Sequence, residues 1–498
     1  MPQNLRARLT RIRNAREQVF GRTTKTADSL NSSSVLGDKL CVSVPLREVI
    51  TKTSLSKTSS GTAFSTWHES GYKLLRRTLI LPFALPANLP QTLPWLLPDL
   101  SRNEQAAEAL SGNGNFSVTL PDTDKFLFFD LETTGLSGGA GTVAFLAAFG
   151  RFVCKPEKNL CPEKRNYTHL EVTQFLLLDY PGESDFLEKV LAFISASAAP
   201  CFLTSYNGKA FDTQILKTRC LMNGFKLPVF FQLDLLHPAR RLWKRILPGC
   251  SQAVVETHVL GLDRTGDTPG AMAPDIWFHF LRSGEDFSGQ KTETSRALLE
   301  ICEHNVKDIF GMASLLRAFA EIAASPLNAA TRFNVDEENL AMCWRRFFYR
   351  LKPIKNSGFC DAKLQSNRTD QNKTGVIRGE QEKITARLLE EAAKKYPRSC
   401  LRLGFDLFRR GCYKEGRAEL KRLTVPAAKW KVPCTAAAEA LALRSLAIDA
   451  QRRLGQNKTA LEYIEQALVL APSLPAGLRE DLERRAKLFD TIFSENSF

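Results

Sequence analysis

Apolar and polar positions change rhythm several times along the 498 residues, and each change marks a segment. Between residues 125 and 323, short runs rich in Phe, Leu and Val alternate with stretches whose apolar residues recur every three or four positions. The first kind fits strands and the second amphipathic helices. The pattern predicts strands at 125–131, 143–153 and 169–178, joined as an antiparallel meander by Gly-rich or polar connections. It then predicts a helix over 184–196, a strand over 201–206, a helix over 210–223 and a strand over 230–236. Helices follow over 238–246, 252–260 and 292–323. Strands first and then alternating helices and strands make an α/β fold. Residues 351–382 are polar, with Asn-Ser-Gly, Ser-Asn-Arg and Gln-Asn-Lys clusters, and read as a linker. Residues 383–498 turn Ala-, Leu- and Arg-rich and read as an all-α region.

Ahead of the α/β pattern the signal is weaker. Residues 1–66 are basic and Ser/Thr-rich, the composition of a poorly ordered segment, apart from a short helix over 5–20. Residues 67–123 read as an extended arm, because Leu-Pro recurs every fourth residue from Leu81 to Pro98. Its leucines are expected to lie along a neighbouring domain, with docking to a partner as the alternative. The same prolines rule out a spanning helix in the longest apolar stretch, 79–100, and residues 1–20 lack the apolar core of a signal peptide. The expectation is a cytoplasmic protein that is not embedded in a membrane. Twelve cysteines scattered singly, without a Cys-x-x-Cys, and only six His argue against a zinc ribbon, an iron–sulfur cluster or a disulfide scaffold.

The net charge of +15 is concentrated at the two ends. Residues 1–78 hold 14 Lys/Arg against 5 Asp/Glu, and residues 381–498 hold 22 against 15, so the middle is close to neutral. Basic flanks around a neutral domain fit an enzyme whose substrate is a polyanion, with nucleic acid the leading class. The middle also holds the clearest chemistry. Asp130 and Glu132 end the apolar run Phe126 to Phe129 and, two apart on a strand, project from the same face. Paired carboxylates before a Thr133-Thr134-Gly135 turn suit a hard divalent cation, Mg²⁺ or Mn²⁺. A solvated strand end is the bland alternative.

The string Phe128 to Leu136, Phe-Phe-Asp-Leu-Glu-Thr-Thr-Gly-Leu, resembles the first motif of the proofreading-exonuclease branch of the ribonuclease H-like superfamily. That resemblance implies four acids holding two divalent cations. Ser205 to Asp212 resembles the second motif, with Asp212 the third acid, and His304 to Asp308 the third motif, with Asp308 the fourth. The Gly138 to Thr142 extension and the block from Leu262 through Asp263, Arg264, Asp267 and Pro269-Gly270 to Pro274 narrow the resemblance to the bacterial YprB-like family. The family implies a five-stranded mixed sheet with flanking helices over 124–350 and a tetratricopeptide-type helical tail. In that tail Gly455, Ala460, Ala467 and Pro472 have the small-residue spacing of one repeat, and Gly404, Leu407 and Gly411 hint at an earlier one. A plain helical bundle is the alternative there.

Two metals acting on a phosphodiester assign the acids their roles. Asp130 is the expected bridging ligand, Glu132 and Asp308 hold the water-activating ion, and Asp212 serves the second. His304, four residues before Asp308 and on its helical face, is the candidate general base, with a structural imidazole as the alternative. The resemblance makes Thr133, Thr134 and Gly135 contacts for a terminal nucleotide. Asn207 and Lys209 accompany Asp212, with Lys209 expected at a phosphate. Arg240 and Lys244, with Arg241, Arg245 and Trp243, put cations and an aromatic on one short helix, although an aromatic at that spacing also fits a core anchor. The reading is a metal-dependent nuclease, a 3′→5′ exonuclease on single-stranded DNA or RNA. The rivals are a non-catalytic adaptor that works through its tail, and an endonuclease or small-nucleotide phosphodiesterase.

Overall fold

The computed structural model describes residues 66–85, 89–90, 92–102, 123–135, 139–154, 167–197, 201–287, 292–350, 383–425 and 430–495. Nearly all of the basic N-terminal segment and the linker expected at 351–382 lie outside them. Seven strands form one sheet: β1 (His68–Gly71), β2 (Leu74–Leu85), β3 (Phe126–Thr133), β4 (Ala144–Val153), β5 (Tyr167–Leu177), β6 (Phe202–Ser205) and β7 (Phe231–Asp234). Their order is β1-β2-β5-β4-β3-β6-β7. The meander β3-β4-β5 and the β5-β2-β1 side are antiparallel, whereas β6 and β7 add in parallel beyond β3. The mixed α/β sheet is therefore two strands wider than expected.

Both extra strands come from the segment read as an arm. Its prolines argue against a strand, because proline donates no ladder bond. In the structure β2 pairs with β5 from Leu74↔Leu177 to Pro82↔His169, but β1 covers only its first residues. Pro82 thus lies where β2 is paired on one side alone, the place where a sheet tolerates proline. Leu89, Leu93, Trp95, Leu96 and Leu97 then turn inward and are buried in the main core.

The helices that matter for the site are α1 (Glu183–Ala196), α2 (Asp212–Met222), α3 (Leu236–Trp243), α4 (Ala273–Ser283) and the long α5 (Glu293–Ala324). Thr292 caps α5, its Oγ1 accepting from the Ser295 amide at 3.1 Å. Period-two alternation splits β3 between two cores. Phe126 and Phe128 face one that includes Val306, Ile309 and Met312 of α5, while Leu127, Phe129 and Leu131 face the other, against α1, α2 and α4. Asp130 and Glu132 continue the first face, so α5 crosses directly beside them. Gly150 on β4 permits that approach: a Cβ there would sit 2.4 Å from Ile309 Cγ2.

Past α5 the chain is helical. It comprises α6 (Pro326–Arg332), α7 (Glu337–Arg350), α8 (383–393), α9 (Pro397–Arg409), α10 (Tyr413–Arg422), α11 (Ala436–Leu454), α12 (Asn457–Val469) and α13 (Ala476–Glu495). The main core runs on from the sheet through α7 into α8–α10. Ion pairs to buried carboxylates reinforce the junction: Asp406 takes Arg345 at 2.9 Å, and Asp336 takes Arg245 at 2.5 Å. No described helix is long and apolar enough to cross a membrane.

Candidate metal centre

The end of β3, the start of α2 and the middle of α5 enclose a cleft of about 230 Å³. Its lining includes Asp130, Glu132, Asp212, His304 and Asp308, together with Thr133, Asn207 and Gly270. Residues separated by up to 178 positions in the chain thus meet in one space, and each arrives for a local reason. Asp130 and Glu132 share a face of β3. His304 and Asp308 are one helical turn apart on α5. Asp212 is the first residue of α2, where the helix dipole favours a carboxylate.

The approach to Asp212 is built around glycine. Asn207 adopts φ +70°, its amide donating to Asp234 Oδ1 at 2.9 Å, and Asp234 also accepts from the Leu236 and Lys209 amides. The chain can then turn back tightly at Gly208. A Cβ on Gly208 would lie 2.8 Å from Asp212 Oδ2 and 2.6 Å from Ser205 Oγ, so only glycine leaves room for the carboxylate.

Around the acids lies a shell that pins specific oxygens. Asn305 donates through Nδ2 to Asp130 Oδ2 at 2.6 Å. Behind it, Gln174 of β5 donates to Asn305 Oδ1 at 2.8 Å, and Arg77 of β2 donates to Gln174 Oε1 at 2.7 Å. On the other side Arg264 bridges three carboxylates, with Glu256 at 2.6 Å, Asp267 at 2.9 Å and Asp308 Oδ1 at 2.6 Å. Asp267 Oδ2 lies 2.8 Å from His304 Nδ1, and its Oδ1 accepts from Lys307 Nζ at 2.9 Å. His304 Nε2 is left facing the cleft, 3.3 Å from Asp308 Oδ2.

Crowding burdens the acids. Burial pushes the Glu132 carboxyl up to about 8; the nearby His304 opposes the shift, while Asp308, Asp212 and Asp267 add to it. Burial, with the charges of Asp234 and Asp308, pushes Asp212 up to about 7 against its own backbone hydrogen bond. Asp130 is raised as well, by burial and then by Asp308, Asp212 and Glu132. Burial would lower the His304 imidazole, but the Asp267 hydrogen bond and the surrounding carboxylates hold it above its ordinary value. Burial would also raise Asp267, yet its bonds to His304 and Lys307 bring it well below the usual carboxylate range.

A pH dependence follows. The folded, ion-free chain keeps protons on Glu132 and Asp212 that the unfolded chain releases near the ordinary carboxylate values. Stability in chelator should therefore fall as pH rises from about 5 to about 8. Thermal melts across that range check this, and added Mn²⁺ should raise the melting temperature most at the alkaline end. A flat or rising profile in chelator would contradict it.

The remaining expected residues fare differently. Thr133 lines the cleft and donates through Oγ1 to Gly135 O at 2.9 Å, and Thr134 Oγ1 accepts from the Val143 amide at 2.9 Å, so both hydroxyls brace the turn. Asn207 faces the cleft. Lys209, Arg240 and Lys244 are exposed and lie outside the cleft lining. Two other cations of that short basic stretch are occupied, Arg241 by Leu96 O at 3.1 Å and Arg245 by Asp336 and Glu338. Trp243 is fully buried, its indole donating to Phe333 O at 3.0 Å, and is a core anchor.

Residues 127–320 match the model of the RNase_H superfamily. The uncharacterized protein YprB of Bacillus subtilis (strain 168) is 36% identical over 195 residues, which are 39% of this chain and 41% of that protein. The chain thus spans about two fifths of that relative's length. It carries a YprB-like, ribonuclease H-like domain followed by a helical region.

Proposed function

We propose that this chain is a metal-dependent nuclease that degrades single-stranded DNA or RNA from the 3′ end. The observation behind the proposal is convergence: four carboxylates from a strand and two helices line one cleft. Divalent ions bound there would acidify the attacking water and stabilise charge on the phosphate and the leaving oxygen. The chain's own residues hold and aim. Asn305 fixes Asp130 Oδ2 and leaves the other oxygen for the cleft. Glu132 and Asp308 serve one side, Asp212 the other, and Arg264 orients Asp308 through Oδ1. His304 presents Nε2 to the same space, where it can accept the water's proton or donate to an ion.

The braced Thr133-Thr134-Gly135 turn is proposed to receive the chain end, with Asn207 beside it. Lys209, Arg240 and Lys244, being exposed, would meet phosphates further along a strand, as would the basic flanks. The helical region, tetratricopeptide-like in its small-residue spacing, is proposed to hold a protein partner.

Oligonucleotides labelled at the 5′ end distinguish the modes of attack. In Mn²⁺ a free 3′ end should shorten stepwise, a blocked 3′ end should stop degradation, and a covalently closed single-stranded circle should survive. Cutting of the circle would replace the exonuclease reading with an endonuclease one.

A further inference from the structure

We infer that His304 is a ligand in this centre, binding through Nε2 beside Glu132 and Asp308, and that the position is built for a first-row transition ion such as Mn²⁺ in preference to Mg²⁺. The inference rests on the cleft being a metal centre, and it names the donor set and the class of ion.

Glu132, His304 and Asp308 each bring one ligand atom within 4.8 Å of the others. Donors opposite one another on a transition ion are about 4.2 Å apart, so modest movement lets all three share one. Nε2 lies 3.3 Å from Asp308 Oδ2. That is the spacing of two donors side by side, and it leaves no room for a water between the imidazole and the carboxylate. Asp308 Oδ1 is taken by Arg264, which leaves Oδ2 as the free oxygen. Gly270 keeps the approach clear: a Cβ there would come within 3.2 Å of Nε2.

Glu132 supplies an independent pointer to a cation. It is 8% exposed, faces the cleft and has no hydrogen-bond or ion-pair partner among the described residues. A buried carboxylate without a partner is a costly group that a bound cation satisfies.

Behind His304 stands the support a ligating imidazole needs. Asp267 faces Nδ1 at 2.8 Å and is itself held by Arg264 and Lys307 at 2.9 Å each. A carboxylate that accepts a hydrogen bond from Nδ1–H fixes the tautomer whose Nε2 lone pair points at the ion. That arrangement recurs behind metal-bound histidines. With a nitrogen among the donors, the site favours ions along the series from Mn²⁺ upward, whereas Mg²⁺ seeks oxygen ligands and keeps its waters.

The test uses the full chain and Mn²⁺ alone as the probe. Pulsed electron paramagnetic resonance of bound Mn²⁺ should show a nitrogen coupling that changes when histidine is labelled with ¹⁵N and disappears in His304→Gln. Mg²⁺ should need roughly 10²-fold higher concentration than Mn²⁺ for half-occupancy, and that preference should shrink to below about 10-fold in His304→Gln. Asp267→Asn, which preserves shape, should retain the coupling and weaken Mn²⁺ binding by about 10-fold. Circular dichroism of both variants confirms that they are folded. Mn²⁺ bound without nitrogen coupling, or equal Mn²⁺ and Mg²⁺ affinity in the parent chain, would overturn the ligand assignment and leave the carboxylate centre standing. Absence of divalent-ion binding altogether would overturn both.

Discussion

Asp130→Asn should abolish ion-dependent cleavage, by about 10³-fold or roughly 4 kcal/mol of lost transition-state stabilisation, and should also make the ion-free protein harder to melt. The two effects have one cause. Asp130 sits in the cleft with Glu132, Asp212 and Asp308, and burial and those charges push its carboxyl up. A neutral amide of the same shape removes a ligand and relieves the repulsion together. Asparagine can still accept from Asn305 Nδ2, the bond Asp130 makes at 2.6 Å, so the packing survives. Melts in chelator and single-turnover cleavage in Mn²⁺ read the two effects separately. Undiminished cleavage would remove Asp130 from the chemistry, and a lower melting temperature in chelator would contradict the crowding.

Arg264→Ala should do the opposite to the fold. The guanidinium is 11% exposed and touches Glu256, Asp267 and Asp308, of which Glu256 is 1% exposed. Removing it leaves Glu256 with Gln252 as its remaining side-chain partner among the described residues, at 2.8 Å. Breaking a buried ionic cluster from one side typically costs about 3–5 kcal/mol. Burial already pushes Glu256 up to about 7 against the pull of Arg264, and without the arginine it should rise further. Its folded value then lies far above the unfolded one, so the loss of stability should be smallest in mild acid and grow as pH rises. Arg264→Lys should recover only part of it, because one ammonium cannot span three carboxylates. Denaturant unfolding at two pH values checks the size and the trend. A loss within about 0.5 kcal/mol, the range of ordinary surface changes, would show that the cluster is not held together by Arg264.

The chemistry of β3 is legible in the sequence because strand periodicity alone puts Asp130 and Glu132 on one face. The partners on α2 and α5 come from motif resemblance, since nothing local says that residues 212 and 308 return to residue 130. What escapes is the shell that holds them. Asn305 looks like any polar residue in a long helix until Gln174 and Asp130 are found on either side of it. The polar loop carrying Arg264 and Asp267 stands out in the sequence, but its role depends on reaching across to α5. The strand β2 is hidden by the Leu-Pro repeat that begins inside it and reads as an extended arm, although Pro82 is compatible with a strand paired on one side. The cations around Trp243 divide in a way the sequence does not show, with Arg240 and Lys244 left exposed. Their spacing suggests a nucleic-acid face, yet Arg241 and Arg245 are spent on the chain itself.

The most direct measurement is single-turnover degradation of end-labelled single-stranded DNA and RNA by the full chain, with Mn²⁺ or with chelator, alongside Asp308→Asn. Stepwise shortening of at least one polymer in Mn²⁺, absent in chelator and absent in the variant, is the predicted result. Cleavage that persists in chelator or in Asp308→Asn, or no cleavage of either polymer in Mn²⁺, would contradict a metal-dependent nuclease centred on these four acids.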